Sequence, residues 1–344
     1  MKMKMKMKII TIIGVFLCIV IFTSVGFASS SIAVLIPGTI GDNPLFQEAI
    51  KGVKEAVEIV GLDEPKIIEG GDDYSSYGKK LISLAATNQY DILLTLTDIM
   101  ASDIIKVASM FPEQKLILVN GDINLATQKV PPNVFSVNIK EEELGYLAGY
   151  FAGLITKSSL TNANKELKVG IMMPDIYPAW TDILIPAYNH GVKAVDSNIE
   201  VVESVLGSWV DVGKGTQAAK MQFTQGVDII LLLTGSACIG AIDEARVEGK
   251  YIIGVNTNKI YLEPDVILGC VLINNREEIK NILLRAYRNT LPFGTEEIVG
   301  AKEGVISFTF GDPNYKKNVP EKIQVAMLEC YKRLQNGEIN PLGD

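Results

Sequence analysis

Apolar runs alternate with amphipathic stretches along almost the whole chain. SIAVLIPG (31–38) reads as a buried strand. NPLFQEAIKGVKEAVEIVG (43–61) carries apolar residues at helical spacing and stops on Gly61. PKIIEG (65–70) is a short strand, SSYGKKLISLAATNQ (75–89) a helix and YDILLTLTD (90–98) a strand. MASDIIKVASMFP (100–112) is a helix stopped by Pro112, and KLILVNGD (115–122) and NVFSVNI (133–139) are strands. The alternation then restarts. EEELGYLAGYFAGLITK (141–157) is a helix, KVGIMMPD (168–175) a strand, and AWTDILIPAYNHGVKAV (179–195) a helix interrupted at Pro186. IEVVESVLG (199–207) is a strand and GTQAAKMQFTQG (215–226) a helix. VDIILLLTG (227–235) is a strand and IGAIDEARVEG (239–249) a helix, and KYIIGVN (250–256) and DVILGCVLIN (265–274) are strands.

The strands are continuous Ile/Leu/Val runs rather than strict alternations. That is what parallel strands covered by helices on both faces require. Two doubly wound α/β units result, so the expected shape is two similar lobes with a cleft between them. Ligands of such sheets sit outside the C-terminal ends of the strands. Those ends are small or polar here: IPGTIGDN, TLTDIM, VNGD, MMPDIYP, LGSWVD, LLTGSA and GVNTN. Seven loops of this kind would converge on one cleft.

GSWVDVGKG (207–215) looks at first like a phosphate loop. The spacing fails, because five residues separate Gly207 from Gly213, and Gly215 stands where a Mg²⁺-holding hydroxyl is needed. The stretch is read as a loop leading into the helix that follows.

Charge and targeting narrow the class. MKMKMKMK precedes an apolar run from Ile9 to Val25, and Gly26-Phe27-Ala28 offers small residues for cleavage, the layout of a secretory leader cut near Ala28. The alternative is a retained anchor, since the run is near spanning length. Leu17 before Cys18 argues against lipidation. Without the leader, 32 basic and 40 acidic residues become 28 and 40, a net charge near −12. That leaves no electrostatic footprint for nucleic acid. Cys238, Cys270 and Cys330 lie in apolar segments and form no disulfide framework. One histidine, His190, offers neither a zinc site nor a His-based triad. With no nucleophile elbow and no metal cluster, the sequence calls for neither a reaction nor a cofactor.

The segments GDNPLFQEAIKG, VFSVNIKEEELGYLAGYFAGLITK, GSWVDVGKGTQAAKMQFTQGVDIILLLTG, YIIGVNTN and KEGVISFTFG with VPEKIQVAMLECYKRLQNGEI occur in one order over the whole mature chain. Together they resemble the basic membrane protein family of solute-binding proteins. The resemblance implies an extracytoplasmic, monomeric subunit of an ABC importer that serves membrane permease subunits, with the two-lobed type I periplasmic-binding-protein fold and three hinge crossings. Crossings are expected near Asn138, Cys270 and Val305. The leader would be 1–28, the first lobe 29–138 with 271–304, and the second 139–270 with 305–344. The ligand it implies is a nucleoside or related small heterocycle. A flavin, a free base or a ligand-sensing role upstream of a membrane receptor are the alternatives.

The expected ligand-binding set is Asp42, Asn43, Phe46, Asp98, Tyr177, Trp180, Trp209, Gly235 and Asn256. Each has a structural alternative. Asp42 and Asp98 could cap the helices that follow them, Trp180 could cap the Pro178 turn, and Trp209 could cover the hinge. Asp122 reads as structural. The sequence departs from the nucleoside-binding pattern at several points. Asn256 stands where the family's ribose-binding aspartate is found, and Ile273 stands where a lysine usually follows the last crossing strand. Leu184 takes the place of a ring-stacking phenylalanine. A buried hydrogen bond to a charged group is worth about 1.5–3 kcal/mol, so these losses should weaken ribose recognition.

Overall fold

The computed structural model describes residues 31–41, 43–71, 73–123 and 129–343. The leader, Asp42 and Asp72 lie outside them. Two six-stranded sheets carry the fold. The first contains β1 (Ile32–Ile36), β2 (Lys66–Glu69), β3 (Ile92–Leu96), β4 (Lys115–Val119), β5 (Val134–Ile139) and β11 (Thr295–Val299), in the order β11-β5-β4-β3-β1-β2. The second contains β6 (Lys168–Met173), β7 (Glu200–Val205), β8 (Val227–Leu232), β9 (Tyr251–Asn256), β10 (Ile267–Ile273) and β12 (Ile306–Phe308), in the order β12-β10-β9-β8-β6-β7. Every neighbouring pair is parallel except β10 with β12. This is the two-lobed type I architecture.

Burial follows strand position. Central β1, β3 and β8 are buried at every residue. Edge strand β7 shows only half-buried and exposed residues, as an edge with one covered face must. The one charge inside a central strand, Asp228 of β8, is fully buried and fully engaged. It accepts from Thr156 Oγ1 at 2.7 Å, Asn164 Nδ2 at 2.6 Å and Lys250 Nζ at 2.9 Å. A buried charge without such partners would be too costly to keep.

The helices are α1 (Pro44–Val60), α2 (Tyr77–Ala86), α3 (Ala101–Met110), α4 (Glu141–Thr156), α5 (Ile185–Val195), α6 (Val212–Thr224), α7 (Cys238–Glu248), α8 (Asn275–Tyr287), α9 (Pro313–Asn318) and α10 (Glu321–Gln335). Gly61 ends α1 in the left-handed conformation, at φ 72°. Helix α4 packs against α5 along Gly145, Gly149 and Gly153. A methyl group on Gly145 or Gly149 would run into the carbonyl of Leu184 or Tyr188. The two backbones approach this closely only because those side chains are absent.

The chain passes between the sheets three times: at Lys140, at Asn274, and over Gly300–Val305. The second passage falls at Asn274 and not at Cys270, because β10 keeps its pairing with β9 as far as Leu272 and with β12 as far as Ile273. The passages are tied together. Lys140 N donates to Val299 O at 3.0 Å, and Asn274 N donates to Val305 O at 2.8 Å. Glu143 accepts from Ala301 N at 2.6 Å. No helix among the described residues is long and apolar enough to cross a membrane.

Candidate functional site

Parallel order in both sheets puts the loops after β1, β3, β4 and β5 on one wall of the cleft and those after β6, β7, β8 and β9 on the other. On the first wall the chain leaves β3 through Thr97, a β-branched residue held at φ 71°, ψ 155°. Such a backbone costs on the order of 1–3 kcal/mol and persists only where its surroundings fix it. Here Thr97 N donates to Val119 O at 2.9 Å, and Met100 N returns to Thr97 O at 3.1 Å. Asp98 follows at once. One of its carboxylate oxygens accepts from Asp122 N at 2.6 Å. Asp98 is therefore a brace between the loops that follow β3 and β4. It is open to solvent on one side, yet the surrounding protein pushes its pKa up, with the Asp122 charge adding to the push.

Glu141, the first residue of α4, lies near Asp98. Burial, then the Asp98 and Glu142 charges, raise its pKa to about 8. A helix N-terminus pulls the other way, but it is worth only about 0.3–1 kcal/mol. Burial wins. Sequence reasoning passed over Glu141 because three acids opening a helix look like ordinary dipole compensation; the signal was that they follow a strand end directly.

The second wall is aromatic. Tyr177, Trp180 and Trp209 pack as a cluster with ring centroids 5.1–6.0 Å apart. Trp209 Nε1 donates to the Tyr177 hydroxyl at 3.1 Å. Trp209 remains 41% exposed and Tyr177 36%, so the cluster presents ring surface to its surroundings. Trp180 opens a π-helical turn, Trp180–Leu184, that runs into α5 with Pro186 in the first turn. Gly235, in the loop after β8, lets that loop close on the cluster: a methyl there would sit 2.8 Å from Trp209 O, and Ala237 N donates to the same oxygen at 3.1 Å. Asn256 ends β9 at φ 71°, a conformation asparagine tolerates, and it is half-buried.

Two residues of the expected set, Phe46 and Asn43, have structural work in the fold, as do Leu184, Ile273 and His190 outside it. Phe46 is 6% exposed and packs beneath Gly38, so it belongs to the core under the first loop. Asn43 caps α1, accepting from Leu45 N at 3.1 Å. Leu184 is 1% exposed and offers no ring surface. Ile273 is buried. His190 meets Pro341 O at 2.9 Å and the edge of Tyr146, a structural position. In the glycine-rich loop Asp211 caps α6 through Lys214 N at 3.1 Å. The helix therefore starts at Val212, three residues before its expected start, and Gly215 lies against the carbonyl of Ala237. Among the described residues no group of three or more His, Cys, Asp or Glu could hold a metal ion.

A family model described as ABC transporter substrate-binding protein PnrA-like (Bmp) matches residues 29–339. The chain belongs to the Bmp family. It is 26% identical to basic membrane protein A1 of Borrelia garinii subsp. bavariensis, over 94% of this chain and 93% of that protein. Among solved structures it resembles an ABC transporter solute-binding protein from Aeropyrum pernix K1, at a TM-score of 0.74 and 21% identity over 90% of this chain and 92% of that one. A transcriptional activator of the comK gene from Bacillus halodurans shares the fold, at a TM-score of 0.71 and 14% identity over 91% of this chain and 100% of that one. As a Bmp protein the chain is a substrate-binding component of an ABC transporter, a class that works outside the cytoplasm.

Proposed function

We propose that this Bmp protein delivers a small heterocyclic metabolite to ABC permease subunits, holding it between the lobes and closing on it about the three passages. The observation that carries the reading is the pair of opposed parallel sheets joined only at Lys140, Asn274 and Gly300–Val305. Two bodies on so narrow a joint are suited to hinge closure. The lobes are drawn from the expected 29–138 with 271–304 and 139–270 with 305–344, with the second boundary moved to Asn274 so that residues 271–273 stay in the second lobe with the rest of β10. The protein acts as a monomer and catalyses nothing. Its leader is removed near Ala28, and N-terminal sequencing of exported protein that found Met1 would overturn that point.

Nucleosides are expected to bind weakly. Asn256 offers one acceptor oxygen where a carboxylate offers two. Ile273 is apolar and buried, so the charged partner of such a carboxylate is gone as well. Calorimetric titration with inosine of the natural protein, Asn256→Asp and Asn256→Asp/Ile273→Lys tests this. The double variant should gain at least about tenfold, equivalent to roughly 1.4 kcal/mol. The single variant should gain less, because an unpaired buried carboxylate is costly. Tight binding by the natural protein, or equal weak binding by all three, contradicts the reading.

A further inference from the structure

The third passage is held from both sides by side chains of the second lobe. Ala301 is fully buried; its N–H donates to Glu143 Oε2 at 2.6 Å, and its carbonyl accepts from Gln335 Nε2 at 3.1 Å. Glu143 stands on α4 and Gln335 on α10. Helix α4 packs on β6, β8 and β10, and α10 packs on α4, so both anchors belong to the lobe of the second sheet. Glu143 is itself buried, and its other oxygen accepts from Lys140 Nζ at 3.1 Å. One carboxylate therefore joins the first passage to the third. Glycine makes the room for it: a methyl group on Gly300 would overlap Glu143 Oε2.

The second passage is fastened to the same turn. Asn274 Nδ2 donates to Gly304 O at 2.6 Å, beside the bond from Asn274 N to Val305 O. The turn is also closed on itself. Gly300 O accepts from Val305 N at 3.0 Å and from Ile306 N at 3.2 Å, and Gly300 N donates to Glu303 Oε2 at 2.9 Å. Toward the first sheet the passages are joined through backbone: β5 and β11 pair as far as Ile139 and Val299, and Lys140 N donates to Val299 O.

Resting on the interlobe closure proposed above, we propose that Glu143 bolts the three passages into one block that travels with the second lobe, so that the cleft opens and closes about a line at 139–140, 274–275 and 299–300. The pivot is then placed by a side chain and not by the length of the connections. Three loose connections could bend at any of their residues. A turn bonded to Glu143, Gln335 and Asn274 cannot bend within itself without breaking buried hydrogen bonds, and those to a carboxylate are the strong ones. Few peptide units remain to absorb the rotation, as in other hinges. The consequence is a narrow range of cleft widths. Glu143 is a positioning residue: it acts on a ligand only through the lobes it aligns.

The test needs no ligand. In exported protein with Cys238→Ser, spin labels are placed at Ile99→Cys and Val210→Cys, exposed positions after β3 and β7, and their separation is measured by double electron–electron resonance. Amide hydrogen exchange follows Ala301 in the same proteins. Glu143→Ala should widen the distribution of separations about twofold and speed exchange at Ala301 at least about tenfold. Glu143→Gln keeps an oxygen for Ala301 N and should stay near the natural protein in both. Gly300→Ala displaces the carboxylate without removing it and should reproduce Glu143→Ala. A residue that only helped the second lobe to fold would lower the melting temperature and leave the distribution unwidened. The proposal is overturned if Glu143→Ala leaves either the distribution or the Ala301 exchange unchanged, or if Glu143→Gln widens the distribution as much as alanine does. Should Glu143→Ala not fold, Gly300→Ala decides by the same two readouts. One fixed separation in the natural protein and in every variant removes the hinge closure and this proposal with it. A natural protein that samples open and closed widths, matched by all the variants, removes this proposal alone.

Discussion

The two walls of the cleft are built by different means. The first wall takes its shape from the backbone: Thr97 at φ 71°, Asn120 at φ 53°, and a carboxylate that braces the next loop. The second takes its shape from side chains: three aromatic rings packed on one another, held by a π-helical turn and a glycine contact. A wall fixed by backbone strain has polar groups to spare for a ligand. A wall fixed by aromatic packing offers surface and little hydrogen bonding. The contrast teaches that the two lobes reach their loop geometry differently, one through backbone held in place and the other through packed rings, so that on the proposed interlobe site a ligand would meet two unlike surfaces.

The largest disruption of this division should come from far below the second wall. Asp228→Ala removes the buried acceptor shared by Thr156, Asn164 and the half-buried Lys250, and breaking such a buried pair costs about 3–5 kcal/mol. Denaturant unfolding should show that loss, and limited proteolysis should open the second lobe first. Gly149→Val comes next. It forces α4 off the Tyr188 carbonyl, and overpacking of this kind costs about 1–3 kcal/mol. Because α5 continues the turn that begins at Trp180, the aromatic wall should loosen while the acidic wall stays intact, seen as greater near-UV dichroism loss than far-UV loss.

Thr97→Gly acts on the other wall and in the opposite direction. Glycine adopts φ 71° without strain, so stability should rise by about 1 kcal/mol after its own entropy cost. Asp98 should then be held less firmly, and ligand affinity should fall. A thermal melt and a titration of the same variant check both halves. A further effect is read in the slope of the pH curve rather than in stability at one pH. Burial holds Glu141 near 8 in the folded protein against an ordinary 4.5. As pH rises through that window the unfolded chain ionises first, so stability present at low pH is lost toward pH 8. Glu141→Gln should flatten that part of the curve; an unchanged slope would mean that Glu141 does not sit in the walled position.

Much of the fold was legible because the central strands are unbroken apolar runs and the helices end on glycine or proline, as at Gly61 and Pro112. Edge strand β11 was not, since TEEIV at a solvent edge lacks that signature. The start of α6 was missed because Gly213 and Gly215 suggest a loop, whereas Asp211 supplies the cap that starts the helix. The aromatic cluster was within reach of sequence reasoning, because Tyr177, Trp180 and Trp209 all follow strand ends. Phe46 could not be told from a platform residue by sequence, since only the turn at Gly38 decides that its ring lies underneath. Glu141 needed the approach of two loops distant in sequence, and no local pattern carries that information.

The division between the walls can be tested with the protein's own chromophores. It has two tryptophans, and both lie in the second wall. Exported protein should be taken into native mass spectrometry to name any ligand carried with it, then stripped and titrated with that compound while tryptophan emission and the scattering radius are followed together. The account predicts that emission changes in step with binding and that the radius shrinks with the same midpoint. A ligand that binds while both tryptophans keep their emission and the radius stays constant would contradict it.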